Sequence, residues 1–158
     1  MRLILSSLSR KDVEITISLH PTMLPSEYRW IESEFSARID EARIADLIPG
    51  CDLFVAAGSS TIALALASGK PVLNLNIWMP NDVFSGASGL VEVTEEQALE
   101  RVVTDLLEDR DGLDRLRVES ESAAEEWGKV DGHAVDRLCS LIEEEAAGKT
   151  SRSVETGL

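Results

Sequence analysis

Apolar and polar positions along the chain change their spacing several times, and these changes predict an alternation of strands and helices. Alternating apolar residues at 13–19 and apolar runs at 52–57, 71–76 and 90–93 have the pattern of strands. Residues 37–39 are compatible with a further short strand, and segments with helical spacing lie between the strands. Strands joined by helices indicate an α/β fold: a Rossmann-like, mostly parallel sheet with helices on both faces.

The two ends of the chain differ in their pattern. Residues 1–10 resemble the last turns of a helix, and two acidic amphipathic helices are predicted at about 112–127 and 132–147. Ahead of them, Thr94-Glu95-Glu96-Gln97 is typical of a capping box at the start of a helix. From Gly148 the sequence is polar, so we expect one domain over residues 1–147 and a disordered tail at 148–158.

Composition restricts the classes of function. The 158 residues suffice for one domain with a core, and a net charge of −14 without a basic stripe argues against nucleic-acid binding. The sequence has neither an apolar run of about 18 residues nor a signal-peptide cleavage site, so a cytoplasmic protein without a transmembrane segment is expected. Cys51 and Cys139 are expected to be reduced core thiols. With His20 and His133 they have no ligand spacing, and no metal or cofactor is expected.

The stretch CDLFVAAGSSTIALALASGKPVLNLN, residues 51–76, is poor in charge, although the chain as a whole is rich in acidic residues. It predicts a strand at 52–57, a turn at Gly58, a helix at about 60–68 that stops at Gly69, and a strand at 71–76. The helix is apolar on every side. It should therefore be buried on more than one face.

Gly58, Ser59, Ser60 and Thr61, here called the hydroxyl turn, join this strand to this helix. Ligands of parallel sheets bind at the carboxyl ends of strands, and the N–H groups at a helix N-terminus favour an anion. Gly58 permits close approach of a ligand to the backbone. One hydroxyl residue is explained by helix capping, whereas three behind a glycine exceed that need. Capping and the binding of a phosphate or diphosphate both stay open.

Four segments together resemble the C-terminal domain of GT-B glycosyltransferases and of their relatives, the UDP-N-acetylglucosamine 2-epimerases. In chain order they are LHP (19–21), CDLFVAAGSST (51–61), ALASGKPV (65–72) and DGHAVDRLCSLI (131–142). The similarity runs from about residue 13 to 145. It implies a Rossmann-like domain that binds a nucleotide sugar, with a UDP-sugar as the expected ligand.

The resemblance also implies roles for individual residues. In this family the hydroxyl turn lies by the phosphates of the donor, which implies contact with Ser59, Ser60 and Thr61. His20 would lie near the cleft, either as a donor-binding residue or as a structural cap at the end of a strand. Asn81 and Asp82 would be polar contributors from the loop that borders the same cleft. Catalytic residues are not assigned.

Two departures from the family change what is expected. The family usually has a glutamate that holds the ribose where this chain has Leu64. The family domain also starts with a central strand and a glycine-rich loop, preceded by an acceptor-binding domain, whereas Met1 falls here inside the first helix. The resemblance therefore implies a domain that lacks its first strand and is not catalytic alone. Its expected partner is an acceptor domain, and its open sheet edges favour self-association.

Three interpretations of function remain open from the sequence. The preferred one is the donor-binding part of a GT-B-like glycosyltransferase. An epimerase-type isomerase or hydrolase shares the fold and donor, although it should carry acidic residues after Ser60 that are missing here. A non-catalytic binding or interaction module would explain Leu64 and the missing glycine-rich loop.

Overall fold

The computed structural model describes the backbone of residues 1–78 and 82–155, and the side chains of these residues except 82, 110 and 148–155. The chain forms two compact units, Met1–Trp127 and Gly128–Leu158. Each unit is described by itself. No helix among the described residues is both long enough and apolar enough to cross a membrane.

In the described part of the first unit, short strands alternate with helices. The strands are β1 (Ile15–Ser18), β2 (Ala37–Asp40), β3 (Phe54–Ala56), β4 (Val72–Leu75) and β5 (Leu90–Val93). The helices are α1 (Arg2–Leu8), α2 (Pro25–Tyr28), α3 (Trp30–Glu34), α4 (Ile44–Leu47), α5 (Thr61–Ala67), α6 (Leu99–Glu108) and α7 (Arg110–Trp127). Short 3-10 turns lie at Ile48–Gly50, Asp82–Phe84 and Glu96–Ala98.

The strands form two parallel sheets, and the predicted α/β fold class is confirmed. β1 pairs with β2, and β3, β4 and β5 form a three-stranded sheet with β4 in the centre. Within it, Val72 is opposite Phe54 of β3 and Leu90 of β5. The short strand expected at 37–39 is present as β2. Each parallel pair is joined by a connection that contains helical segments, as such pairs require.

β4 is buried on both faces and separates two apolar clusters. Leu73 and Leu75 pack with α1 and α6 on one face. Val72 packs with α5 and with Phe84 on the other. Each fully buried Val or Leu side chain contributes about 1.5–3 kcal/mol to the free energy of unfolding. Burial on both faces explains why this strand is apolar apart from Asn74.

The uncharged helix α5 is buried as its sequence predicts. Ile62, Ala65 and Leu66 are at most 1% exposed, and α5 packs against α7 as well as against the sheet. Ala63 and Leu64 are half-buried around the same cluster. A carboxylate at one of the buried positions would be desolvated without a partner, and this accounts for the absence of charge.

Two of the predicted local features are corrected by the structure. Thr94 caps no helix, because residues Glu96–Ala98 form a 3-10 turn with Glu95 before it, and α6 begins only at Leu99. Cys139 is exposed and not a core thiol, whereas Cys51 is half-buried. Burial raises the pKa of the Cys51 thiol, an effect that the charge of Lys70 opposes.

The second unit consists of a loop and the helix α8 (Ala134–Glu155). Asp131 anchors the start of this helix: its Oδ1 accepts hydrogen bonds from the backbone N–H of His133 and from Nη1 of Arg137, both at 3.0 Å. These hydrogen bonds, that of Arg137 foremost, lower the pKa of Asp131. The helix continues past Gly148 into the segment for which the sequence predicts disorder, and the first unit ends at Trp127, ahead of the predicted domain boundary at 147.

Gly89 lets α7 approach the sheet closely, and replacing it should destabilise the first unit strongly. Its φ is +79°, and an added Cβ would lie 1.9 Å from Oγ and 2.6 Å from Cα of the buried Ser120. We expect Gly89→Ala to lower the free energy of unfolding by at least about 2 kcal/mol in urea titrations, since backbone strain and overpacking both contribute.

Gly86→Ala is the matched control for this substitution. Gly86 has a similar φ of +74°, but an added Cβ would have no neighbour within 4 Å. It should therefore cost only the backbone term, about 1–2 kcal/mol. Equal losses in the two variants would show that the contact with Ser120 does not restrict the position.

β1 and β3 each have one edge without a partner strand among the described residues. Phe54 N–H donates to Pro71 O at 2.9 Å, so the next N–H along the strand, that of Val55, points away from β4. We expect the chain to self-associate through this edge, with an average mass in light scattering that rises with concentration. Val55→Pro should suppress the rise, because it removes an edge donor without removing a β3–β4 hydrogen bond.

Val55→Thr is the control, because it keeps the N–H and the branched shape of the side chain. It should associate as the unmodified chain does. A monodisperse monomer at all concentrations, or equal suppression by both substitutions, would contradict the role of the edge.

Candidate functional site

The hydroxyl turn lies at the carboxyl end of β3 and directly ahead of α5, as predicted. Gly58 has a φ of +59°, which a side chain would strain, and it reverses the chain between strand and helix. α5 begins at Thr61 and has seven residues. A helix this short has only a modest dipole, so the local N–H and hydroxyl groups are what the turn offers a ligand.

Two of the three hydroxyl side chains are engaged with each other. Ser59 Oγ and Thr61 Oγ1 are 2.8 Å apart, and the backbone N–H of Thr61 donates to Ser59 Oγ at 3.3 Å. These contacts satisfy a first-turn amide by a local side-chain-to-backbone hydrogen bond over two residues, as Ser and Thr commonly form in turns. Ser60 occupies the N-cap position, yet its side chain makes no cap hydrogen bond and is exposed. Local hydrogen bonds therefore account for Ser59 and Thr61, whereas the Ser60 side chain makes no cap hydrogen bond.

Three polar side chains that the sequence did not predict are hydrogen-bonded to one another and to the hydroxyl turn. They are Asn74, Asn76 and Glu92, here called the asparagine network. Asn74 is 1% exposed and Asn76 4% exposed. Their Nδ2 groups donate to Glu92 Oε1, at 3.4 Å from Asn74 and 3.0 Å from Asn76. Asn74 Oδ1 accepts a hydrogen bond from the Gly58 N–H at 3.2 Å. The network thus connects the centre of the sheet to the hydroxyl turn.

The sequence does contain a signal for this network. Asn74 and Asn76 are two residues apart in an otherwise apolar strand, so both side chains belong to one face of the sheet. Buried amides need partners, and such a pair predicts a further polar group on a neighbouring strand. The identity of that group depends on the β4–β5 register, which places Glu92 opposite Asn74.

The other predicted site residues are not brought to the hydroxyl turn by any described contact. His20 is exposed at the end of β1, where its Nδ1 lies 2.8 Å from Thr22 Oγ1 and accepts from the Thr22 N–H at 3.3 Å. These contacts agree with the structural cap that was one of its two predicted roles. Asn81 lies outside the described residues, as does the side chain of Asp82, whose backbone begins a 3-10 turn.

Leu64 is half-buried and packs against the apolar cluster around Ile62 and Val72. Its side chain is therefore part of the packing of α5 and offers no acceptor to a ribose.

Neither the described ionisable groups nor the grooves between helices point to a second site. Among the described residues, no group of three or more His, Cys, Asp or Glu side chains could hold a metal ion. A groove of about 330 Å³ lies between α6 and α7, lined by residues such as Val102, Leu106 and Leu116. None of its lining residues belongs to the hydroxyl turn or the asparagine network.

Asn74 should determine the conformation of the hydroxyl turn. In Asn74→Ala the Gly58 N–H loses its acceptor, and its amide hydrogen should exchange with solvent faster, in proportion to the local opening that the bond suppresses. Asn76→Ala is the matched control: it removes a donor to Glu92 but leaves the Asn74–Gly58 hydrogen bond. Equal exchange of the Gly58 amide in both variants, measured by NMR, would contradict this role.

A scan of the chain against protein-family models found no match, and a search of curated protein sequences found none of significant similarity.

Proposed function

We propose that the chain is the donor-binding part of a GT-B-like glycosyltransferase and binds a nucleotide diphosphate sugar, a UDP-sugar in the first place. The observation that carries the proposal is the exposed Ser60, without a cap hydrogen bond, in a glycine-led turn at the carboxyl end of a parallel strand. Ligands of open parallel sheets bind at this edge. The order of the four segments that resemble the GT-B family supports the same assignment.

The turn would hold the diphosphate through neutral donors. Ser60 is exposed and its hydroxyl is a neutral donor. The backbone N–H groups of Gly58 and Thr61 already donate to Asn74 Oδ1 and Ser59 Oγ, so the proposed contact with the diphosphate is made chiefly by Ser60. The sequence from Gly58 to Leu64 contains no Lys or Arg, so charge-assisted hydrogen bonds from these residues do not contribute. We therefore expect affinity in the millimolar range, which corresponds to about −4 kcal/mol.

Catalysis would require a second component. In GT-B enzymes the reaction takes place between two domains, and this chain would supply the donor side only. We propose an acceptor-binding domain as its partner.

A non-catalytic binding module is the second candidate, and the packing of Leu64 favours it. In place of a ribose-holding carboxylate, this position contributes an apolar side chain to the core around α5. A module of this kind would keep the fold and the turn while its nucleotide affinity is weak or lost.

The binding test is a thermal-shift panel with UDP, CDP, GDP and UDP-sugars. Diphosphate nucleotides should raise the melting temperature by mass action, equivalent to about 2.7 kcal/mol when the ligand is at 100 times its dissociation constant. Ser60→Ala combined with Thr61→Ala should abolish the rise, because it removes the ligand-facing hydroxyl and the partner of Ser59.

Ser68→Ala is the control, since Ser68 is a hydroxyl residue at the opposite end of α5. It should preserve the ligand-induced rise. No rise with any diphosphate in the unmodified chain, or a rise that survives the double substitution, would contradict diphosphate binding at the turn.

A further inference from the structure

Glu92 is the charged member of the asparagine network, and its orientation is fixed by groups that have little freedom. Its Oε1 accepts hydrogen bonds from Nδ2 of both asparagines. Both donors are nine-tenths or more buried. Asn74 belongs to the central strand β4, and Asn76 follows it directly. Glu92 itself is half-buried on β5. The carboxylate is therefore held in place at the carboxyl edge without being sealed from solvent.

In the described part of the chain, no hydrogen bond ends on the second oxygen of this carboxylate. The hydrogen bonds of Glu92 within the described residues all end on Oε1. A carboxylate has about four acceptor positions on its two oxygens. A partly desolvated oxygen without a protein donor gains most from a ligand that donates to it, and hydroxyl groups are suitable donors.

A single amide side chain separates this acceptor from the hydroxyl turn. Asn74 accepts from the Gly58 N–H at one end of its amide and donates to Glu92 at the other. The two ends of the site thus differ in chemistry: hydrogen-bond donors lie at the turn, and an anionic acceptor lies at Glu92. A purely anionic ligand fits the turn but is repelled by Glu92.

We infer that Glu92 is a specificity-determining residue, which accepts hydrogen bonds from sugar hydroxyls of a ligand whose phosphate lies at the hydroxyl turn. This inference rests on the proposed function and deepens it. A phosphorylated sugar carries an anion and several hydroxyl donors within one short molecule, as the two ends of the site require. Glu92 would provide the carboxylate that Leu64 does not.

The test compares a ligand with hydroxyls and a ligand without them. UDP-glucose and inorganic pyrophosphate are titrated into the full chain and followed by amide NMR shifts, for the unmodified chain, Glu92→Gln and Glu95→Gln. The control Glu95 is exposed and neighbours the same strand. Glu92→Gln should weaken UDP-glucose by about tenfold, the effect of losing a hydrogen bond to a charged group, and should leave pyrophosphate unchanged or tighter. Glu95→Gln should change neither.

Three outcomes overturn the inference, and they differ in what they leave standing. If Glu92→Gln weakens both ligands equally, Glu92 only positions Asn74 and the turn. If both ligands bind and Glu92→Gln changes neither, the sugar hydroxyls lie elsewhere and diphosphate binding stands. If the unmodified chain binds neither ligand, the proposed function fails with the inference.

A second variant keeps the test decisive if Glu92→Gln does not fold. Glu92→Asp retains the charge but withdraws the carboxylate by one methylene, so it should weaken UDP-glucose and not pyrophosphate. Equal binding of UDP-glucose by Glu92→Asp and the unmodified chain would overturn the inference. Circular-dichroism melts of each variant verify the fold.

Discussion

Burial of β4 is the constraint on which the first unit depends. The strand is paired on both edges and covered on both faces, so each polar atom that it carries must find a partner within the protein. The strand contains Asn74, and a second buried asparagine, Asn76, follows it directly. Their hydrogen bonds to Glu92 and to the backbone of Gly58 meet this requirement, and they also connect β5 and the turn after β3 to the central strand. The polar groups at the carboxyl ends of the strands are thus held in place by the hydrogen bonds that the buried asparagines need.

Features set by local sequence could be predicted, and those set by register could not. The strands, the glycine turn and the burial of α5 follow from short apolar runs and from residues with special backbone preferences. The asparagine network needs the pairing of β3, β4 and β5, because Glu92 is 16 positions from Asn76 and becomes its neighbour only through the sheet. Of the residues that the resemblance implied, His20 has its described side-chain contacts with Thr22, two positions further along the chain.

The corrected predictions have a common physical origin. A capping box describes which side chains could satisfy the first N–H groups of a helix, but the 3-10 turn at Glu96–Ala98 uses backbone acceptors and moves the helix start to Leu99. Cys139 lies in an apolar stretch of sequence, yet its exposure depends on what packs against α8 and not on the pattern of α8 itself. In both cases the local sequence allows more than one conformation or degree of burial, and packing in the folded chain determines which one is adopted.

Charge determines how such a site can select a ligand. The chain carries a net charge of −14, and this field opposes the approach of any anion at distances up to the Debye length, roughly 8 Å at physiological ionic strength. A turn with neutral donors gains only modest energy from a phosphate, so little of the selection can come from the anion. An oriented carboxylate beside the turn would favour the hydroxyl groups of a ligand over its anion, because each hydroxyl that donates to the carboxylate forms a charge-assisted hydrogen bond. The negative charge of the chain weakens the binding of anions in general. The same kind of charge, on Glu92, would then produce selectivity for the sugar over the bare diphosphate.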